Sequence, residues 1–350
     1  MRFIMSANSQ ITMPILKMGF AKGLTLTFAF CALFNMSIYA KGNEQPNAFF
    51  AYLANCQSTP ALVAFNPVGF DPRRPLDLND VAITSLKEDL KVLKPAFDGL
   101  VIYEYRPNLT KVILTAAQEQ GYKAVLLGIW NPKSDVEIKG VAELVAQFHD
   151  KLALAVVIGN EGLIDNRYTL EDVKTAVKKL RALLPPKTTI PFATSEPVSE
   201  YGLAELREIG DFLAPNIHPA IDQTSVDAPA AVAWVKKRAE ALATIAKKPV
   251  IVKETGVPNG TANYTHEAQR AFWYDYLQGG NFVQVDSSPW LSFAAAFEAF
   301  DMPWKAETSK LPIEGHWGLL NVKREAYPAF EEWRKAKAIT PAAAKAKRCR

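Results

Sequence analysis

From residue 60 onward, short apolar, β-branched runs alternate with longer stretches whose apolar positions recur at helical spacing. "ALVAF" precedes "DVAITSLKEDLKVL", which sets Leu86, Leu90 and Leu93 on one helical face. "GLVIYEY" precedes "TKVILTAAQEQ", "KAVLLGIW" precedes "EIKGVAELVAQFHDK", and "LALAVVIGNE" precedes a helix opening at Thr169 with Glu171 and Asp172 in its first turn. "TTIPFATSE" leads into a short helix through Leu203 and Leu206, and "DFLAPNIHP" into "APAAVAWVKKRAEALATIA". "KPVIVKETG" is followed by "THEAQRAFWYDYLQ", and "WLSFAAAFEAF" by "EAYPAFEEWRKA". Such alternation predicts parallel βα units. Eight in succession predict one (β/α)8 barrel, a TIM barrel of the α/β class, over residues 60–337. An open doubly wound sheet would alternate too, but usually carries a glycine-rich phosphate turn. The chain has neither G-x-G-x-x-G nor a P-loop lysine motif, and no repeat beyond the alternation itself.

Composition changes this picture mainly at the ends. Residues 1–40 hold Arg2, Lys17, Lys22 and the apolar run "GLTLTFAFCALFNMSIYA", the pattern of a signal peptide cut near Ala40. The run is also at the lower edge of spanning length, so an uncleaved signal anchor is the alternative. Either places the protein outside the cytoplasm: secreted, periplasmic or in the cell envelope. Residues 41–59 read as a linker, and 338–350 as a basic flexible tail. The formal net charge of +4 belongs to these ends, because residues 41–334 sum to −5. A mildly acidic body lacks the clustered cations that nucleic acid requires. The three cysteines, Cys31, Cys56 and Cys349, lie in the flanks and form neither a disulfide framework nor a thiol metal site. No His/Asp/Cys cluster has metal-ligand spacing, and no cofactor is expected.

In a barrel of this kind the active site lies at the C-terminal ends of the strands. Those ends carry Tyr103, Glu104 and Tyr105; Trp130 and Asn131; Asn160 and Glu161; Ser195 and Glu196; Asn216 and His218; Lys253 and Glu254; Glu298, Asp301 and Trp304. Glu161 therefore need not lie in hydrocarbon; it can face a pocket opposite Glu254. Glycoside cleavage uses such a pair, one carboxyl protonated as acid and one ionised. In a retaining enzyme the two stand roughly 5–5.5 Å apart.

"VVIGNE", "VIVKETGVPNG", "FEAFDMPWK" and "EGHWGLL" resemble, in order, the signatures of glycoside hydrolase family 17. That family contains β-1,3-glucanases and β-glucan glucosyltransferases. The likeness covers essentially residues 60–335. It implies a retaining double displacement on β-1,3-glucan, of the endo-1,3-β-glucosidase type, with Glu161 as general acid/base and Glu254 as nucleophile. It also implies that Asn160 bonds the sugar 2-hydroxyl and that Tyr103, Glu196, Glu298, Asp301, Trp304 and Lys305 shape the cleft. The expected partner is β-glucan polysaccharide or oligosaccharide. The chain departs from the family at Val101, where an arginine is usual, at Ala220, where an aromatic is usual, and at Val257, where a tryptophan is usual. These departures bear on sugar subsites more than on the carboxyl pair.

Blander readings stand beside these. A single strand-end glutamate is more often a salt-bridge partner than a catalyst, and it is the matched positions of Glu161 and Glu254 that argue for chemistry. Glu196 and Glu298 fit substrate contact or a structural brace equally. His218 reads as a donor orienting a carboxylate rather than as a base. Lys253 alternates away from Glu254 along the strand and reads as structural. Trp130, Trp304 and Trp317 could stack on sugar rings or pack in the core, whereas Trp234, Trp273 and Trp333 read as core. Asn108, Asn259 and Asn263 head glycosylation sequons. Two alternatives to hydrolysis remain: glucosyl transfer to a sugar acceptor at the same site, and a non-catalytic glucan-binding barrel.

Overall fold

Five strands pair in parallel and in chain order: β1 (Leu62–Ala64), β2 (Gly99–Ile102), β3 (Ala124–Ile129), β4 (Ala153–Asn160) and β5 (Phe192–Ser195). This computed structural model describes residues 47–55, 58–75, 78–222, 227–261, 264–283 and 289–338. The signal segment, the tail beyond Ala338, all three cysteines and the sequon at Asn263 lie outside the described residues.

β6 (Val250–Ile251) lies on the seventh stave of the ring, and β7 (Phe282–Val283) runs antiparallel to β8 (Leu291–Ser292) on the eighth. β8 is parallel to β6, and β9 (Ala295–Ala296) returns to β1. The sixth stave, residues 211–218, is not the regular strand that its apolar run predicts. It pairs through isolated bridges. Pro215 and Pro219 flank its upper half, and proline has no N–H to give a ladder. The bridges suffice to join its neighbours. Asn216 N donates to Glu196 O (3.0 Å), Leu213 N to Pro249 O (2.8 Å) and Ile251 N to Leu213 O (2.9 Å). The eight staves, six of them in one parallel sheet order, fit a (β/α)8 barrel. The eighth is also less regular than expected, with its pairing split between β8 and β9 and with β7 added beside it.

Helices follow the staves as the apolar periodicity requires. α1 (Ala48–Leu53) precedes the barrel; α2 (Asp80–Leu93), α3 (Leu109–Glu119), α4 (Asp135–Phe148) and α5 (Leu170–Leu183) follow the first four strands. α6 (Ala204–Glu208), α7 (Pro219–Asp222), α8 (Ala228–Ala246), α9 (His266–Tyr276), α10 (Pro303–Ser309) and α11 (Pro328–Ala338) complete the ring. α5 opens on a capping box in which Thr169 and Asp172 satisfy each other's backbone N–H groups.

Two apolar layers result. Outward strand residues such as Val125, Leu127, Val156, Val250 and Val252 pack under the helices. Inward ones (Leu62, Val101, Leu126, Val157, Phe212 and Ile251, with several alanines) fill the barrel. The alanines leave room at its floor, and α1 fills it. Phe49 and Leu53 are buried there, and Phe50 packs edge-on against Trp290 (5.0 Å) and Phe212 (5.9 Å). Residues 41–59, expected as a linker, therefore contain a structural plug. One turn and a half of helix is too short for its period to stand out in the sequence. Asn47 caps it by accepting from Phe49 N and Phe50 N. Tyr52 Oη donates to Asp98 Oδ1 (2.6 Å), whose other oxygen pairs with Lys337 of α11 (2.5 Å), so one buried carboxylate ties both ends of the domain together.

Phe49→Ala is expected to cost about 3–5 kcal/mol, the usual range for a fully buried phenylalanine. Denaturant unfolding checks this, and a loss under about 1 kcal/mol, far below that range, would show that α1 does not plug the core.

Candidate active site

The chemistry-bearing side chains gather at the C-terminal ends of staves two, four, six, seven and eight. Asn160 and Glu161 are neighbours on one strand and should point to opposite faces, yet Asn216 Nδ2 donates to both Glu161 Oε1 (2.8 Å) and Asn160 Oδ1 (3.3 Å). The cause is a register shift between Val157 and Asn160, where β4 loses step with β5. Gly159 takes φ +84°, Glu161 takes φ +51°, and a Cβ on Gly159 would collide with the Tyr168 hydroxyl. The glycine of "GNE" is thus required by conformation and by space.

Lys253 corrects the sequence expectation. Strand alternation turns it away from Glu254; in the structure its Nζ donates to Glu254 Oε1 and to Asn160 Oδ1 (2.8 Å) and lies 4.5 Å from the centre of the Tyr103 ring. The alternation itself is sound. Ile251 faces the barrel interior while Val250 and Val252 face the helices, so Lys253 shares the inward side. Glu254 turns in where regular pairing ends, and the lysine stem spans the remainder. Glu254 Oε2 faces His218 Nε2 (3.2 Å).

The two glutamates are in opposite electrostatic surroundings. Burial alone would raise the Glu254 pKa, but the Lys253 charge, the hydrogen bond and charge of His218 and the Lys253 hydrogen bond overcome it and bring it down to about 2. Glu161 is raised, by burial first and by the Glu254 charge second, with the neutral Asn216 amide only partly offsetting them. The Tyr103 hydroxyl is buried beside Glu254, and burial followed by the charges of Glu254 and Glu298 pushes its pKa well up.

The remaining expected residues divide. Glu196 Oε1 accepts from Tyr168 Oη (2.9 Å) and Leu163 N (3.2 Å), bracing the loop after Glu161; burial lifts it to about 7. Glu298 accepts from Lys305 Nζ at 2.6 Å, keeps Oε1 buried without a partner, and is also lifted by burial to about 7. Asp301, expected at the substrate, is instead spent on the fold: Oδ1 accepts from Gly318 N (3.0 Å) and Oδ2 from Tyr327 Oη (2.7 Å). Trp130 is 37% exposed, with the Arg167 guanidinium 4.4 Å from its ring centre. Trp304 is half-buried against Phe70. Trp317 is buried against His218 and Phe297, a wall rather than a stacking platform. Trp273 and Trp333 are core; Trp234 is half-buried. Asn259 is fully buried and donates to Gly318 O (2.8 Å), which leaves no room for a glycan on the folded chain.

Sequence reasoning assigned no role to Asn216, Arg167 or Glu314, and only a structural one to Lys253. Arg167 donates to the Asn160 carbonyl, and Glu314, half-buried, is near enough to Glu254 for the Glu254 charge to help raise its pKa. For Asn216 and Lys253 a signal existed: each lies an even number of residues from an inward apolar residue, Ala214 and Ile251. Arg167 and Glu314 sit outside the regular strands and long helices, where no period applies. Among the described residues no group of three or more His, Cys, Asp or Glu is placed to hold a metal ion.

Residues 79–318 match the family model of the BtgE/BtgC glycoside hydrolase domain. Over 272 residues the chain is 25% identical to a probable glucan endo-1,3-β-glucosidase btgC of Aspergillus clavatus, covering 69% of this chain and 38% of that one. A putative glucan endo-1,3-β-glucosidase btgC of Aspergillus niger is 24% identical over 275 residues, covering 71% and 40%. The chain thus spans well under half the length of these curated relatives. Among solved structures, the fold is shared with a glycoside hydrolase family 17 β-1,3-glucanosyltransferase from Rhizomucor miehei (TM-score 0.61, 20% identity, 77% of this chain and 96% of that one). It is shared also with an endo-laminarinase from Formosa (TM-score 0.64, 19% identity, 84% and 91%). The family match runs from the start of α2 to the loop that anchors Asp301, and the chain belongs to the BtgE/BtgC glycoside hydrolase domain family.

Proposed function

We propose that this domain cleaves β-1,3-glucan with retention of anomeric configuration, Glu254 being the nucleophile and Glu161 the general acid/base. The observation that carries the assignment is the opposite tuning of two carboxyls in one hydrogen-bonded chain, Glu161–Asn216–Asn160–Lys253–Glu254. Paired carboxyls whose surroundings push their pKa values apart mark the acid and the anion of such a reaction. Glu254 attacks the anomeric carbon, the glycosidic C–O bond breaks, and its electron pair leaves on the oxygen, which takes the Glu161 proton. Glu161, now ionised, then removes a proton from the incoming acceptor, whose oxygen displaces Glu254. Asn160 lies between the two acids, where its amide can meet the 2-hydroxyl.

The glucan assignment draws support from the glucan endo-1,3-β-glucosidase names of the curated relatives. Transfer to a sugar acceptor in place of water is the second reading, favoured by the solved glucanosyltransferase that shares this fold. The same residues serve both reactions. The N-terminal segment supports an extracytoplasmic setting, in which a polymeric glucan is within reach.

Incubation with a linear β-1,3-glucan followed by NMR of the first products is expected to show β-configured reducing ends, or new glycosidic bonds if transfer dominates. Inverted products would overturn the double displacement. Glu254→Gln is expected to abolish turnover. Glu161→Gln is expected to lose about 10²–10⁴-fold on glucan and to regain most of it on a glycoside whose leaving group needs no proton.

The pH profile follows from the two shifts. Glu254 must be ionised, so kcat/KM should hold far into acid and fall only as pH approaches about 2, provided the fold persists there. Glu161 must be protonated for the first step, so kcat/KM should fall as pH rises through its elevated pKa. The wild type should show that alkaline limb on glucan and lose it on the activated glycoside, and an equal limb on both substrates would overturn the assignment.

A further inference from the structure

We infer that Lys253 is a positioning residue that supplies the fixed positive charge opposite Glu254 and, through the same ammonium group, turns the Asn160 amide toward the sugar. The inference rests on Glu254 being the nucleophile, as proposed above.

The charge argument begins with what surrounds Glu254. Glu161 on the fourth stave, Glu298 on the eighth and Glu314 on the 3-10 helix Pro312–Gly315 all interact with it as like charges. Tyr103 on the second stave adds a neutral phenol. Lys305 is engaged by Glu298 at 2.6 Å. His218 on the sixth stave offers Nε2 to Glu254, but its Nδ1 is buried with no hydrogen-bond partner. Of the lysine and arginine side chains around Glu254, Lys253 is the one in direct contact. It is 2% exposed and Glu254 is 5% exposed, so water screens their attraction little.

The orientation argument is geometric. Asn160 Oδ1 accepts from both Lys253 Nζ (2.8 Å) and Asn216 Nδ2 (3.3 Å). An ammonium group is only a donor, so it accepts nothing from an amide N–H₂. Lys253 thereby forbids the flipped amide and leaves Asn160 Nδ2 free to donate into the cleft. One side chain thus fixes the anion that attacks and the donor that holds the neighbouring hydroxyl. When Glu254 forms the glycosyl ester its negative charge is consumed. Lys253 then faces a neutral oxygen, which favours departure of the carboxylate in the second step.

The test is the pH dependence of covalent labelling by a 2-deoxy-2-fluoro-β-glucosyl fluoride, read by intact-protein mass spectrometry. Fluoride leaves without a proton from Glu161, so the acid limb of the labelling rate reports the ionisation of Glu254. Lys253→Met is expected to move that limb up by about one pH unit or more, the usual effect of removing an opposite charge at contact distance. Lys253→Arg, which keeps the charge, should leave the limb close to its original place. Lys253→Gln drops the charge but can still donate to Asn160. It should move the limb as methionine does, while raising KM for a 2-hydroxyl-bearing laminari-oligosaccharide less. It also serves the measurement if the methionine variant fails to fold. A merely structural lysine would lower activity evenly across pH, and an unmoved limb in a folded, charge-free variant overturns the inference. Glu254→Gln separates the two proposals. If it is labelled, the nucleophile assignment fails; if it is not labelled and the limb is unmoved in the lysine variants, only the role of Lys253 fails.

Discussion

An ionised carboxylate held almost wholly out of water is the constraint on which the rest of this site depends. The penalty for burying an ion is several kcal/mol even after the protein relaxes. Glu254 meets it with an ammonium group on one oxygen and an imidazole N–H on the other. That solution has structural consequences. The ammonium group must itself be buried and needs a further acceptor, which Asn160 provides. Asn160 can do so only because the β4 bulge turns two consecutive side chains to the same side. The upper barrel is therefore a connected polar layer, and apolar packing is concentrated at the floor, where α1 enters among alanines.

Much of this was legible in the sequence, for physical reasons that differ by element. Helices α2 and α8 were readable to the residue because each is long enough for a 3.6-residue period to show and each begins at a side-chain cap, Asn79 and Asp227. Strands β1 to β5 were readable because strands buried on both faces are continuous apolar runs. The sixth stave misled because its apolar character comes from burial, while its prolines deny it a ladder. α1 was missed because six residues carry too little pattern. At the site, Glu161 and Glu254 stood out by their place at strand ends and by the motifs around them. Lys253 was misplaced because parity was counted from Glu254, which has left the regular strand, rather than from Ile251, which has not. Asp301 shows the opposite limit: its motif placed it at the cleft, but its oxygens are taken by Gly318 and Tyr327.

The departures from the family pattern take on meaning in this geometry. Val101, where an arginine is usual, is an inward residue two positions below Tyr103 and contributes only packing. The cation against the Tyr103 ring comes instead from the seventh stave, as Lys253. Val257, where a tryptophan is usual, is buried in the layer between strands and helices and offers no face to a sugar. Aromatic surface is retained at Trp130, held by Arg167, which also donates to the Asn160 carbonyl. Arg167 thus joins a candidate sugar platform to the backbone of the β4 bulge, so the two are fixed relative to each other.

Under the mechanism proposed above, the division of labour between the two glutamates follows from the kind of partner each has. Glu254 needs to be an anion whenever it is free, and a cation suits that need because it opposes protonation at every pH of interest. Glu161 must give up a proton and take one back in each cycle. A cation beside it would hold it ionised and remove the acid. A neutral amide is the partner that serves both states: Asn216 Nδ2 donates to Glu161 Oε1 without adding a full charge, and Ser195 Oγ donates to Asn216 Oδ1 at 3.0 Å and fixes which end of that amide faces the acid. Burial and the Glu254 charge then keep Glu161 raised. In the proposed double displacement, conversion of Glu254 to an ester would remove the charge that raised Glu161, so its acidity would rise at the moment when it must persist as a base. On that mechanism the anion proposed to attack the sugar also times the proton transfers of its partner, and the difference between a lysine and an asparagine as neighbour would let two chemically identical side chains do unlike work.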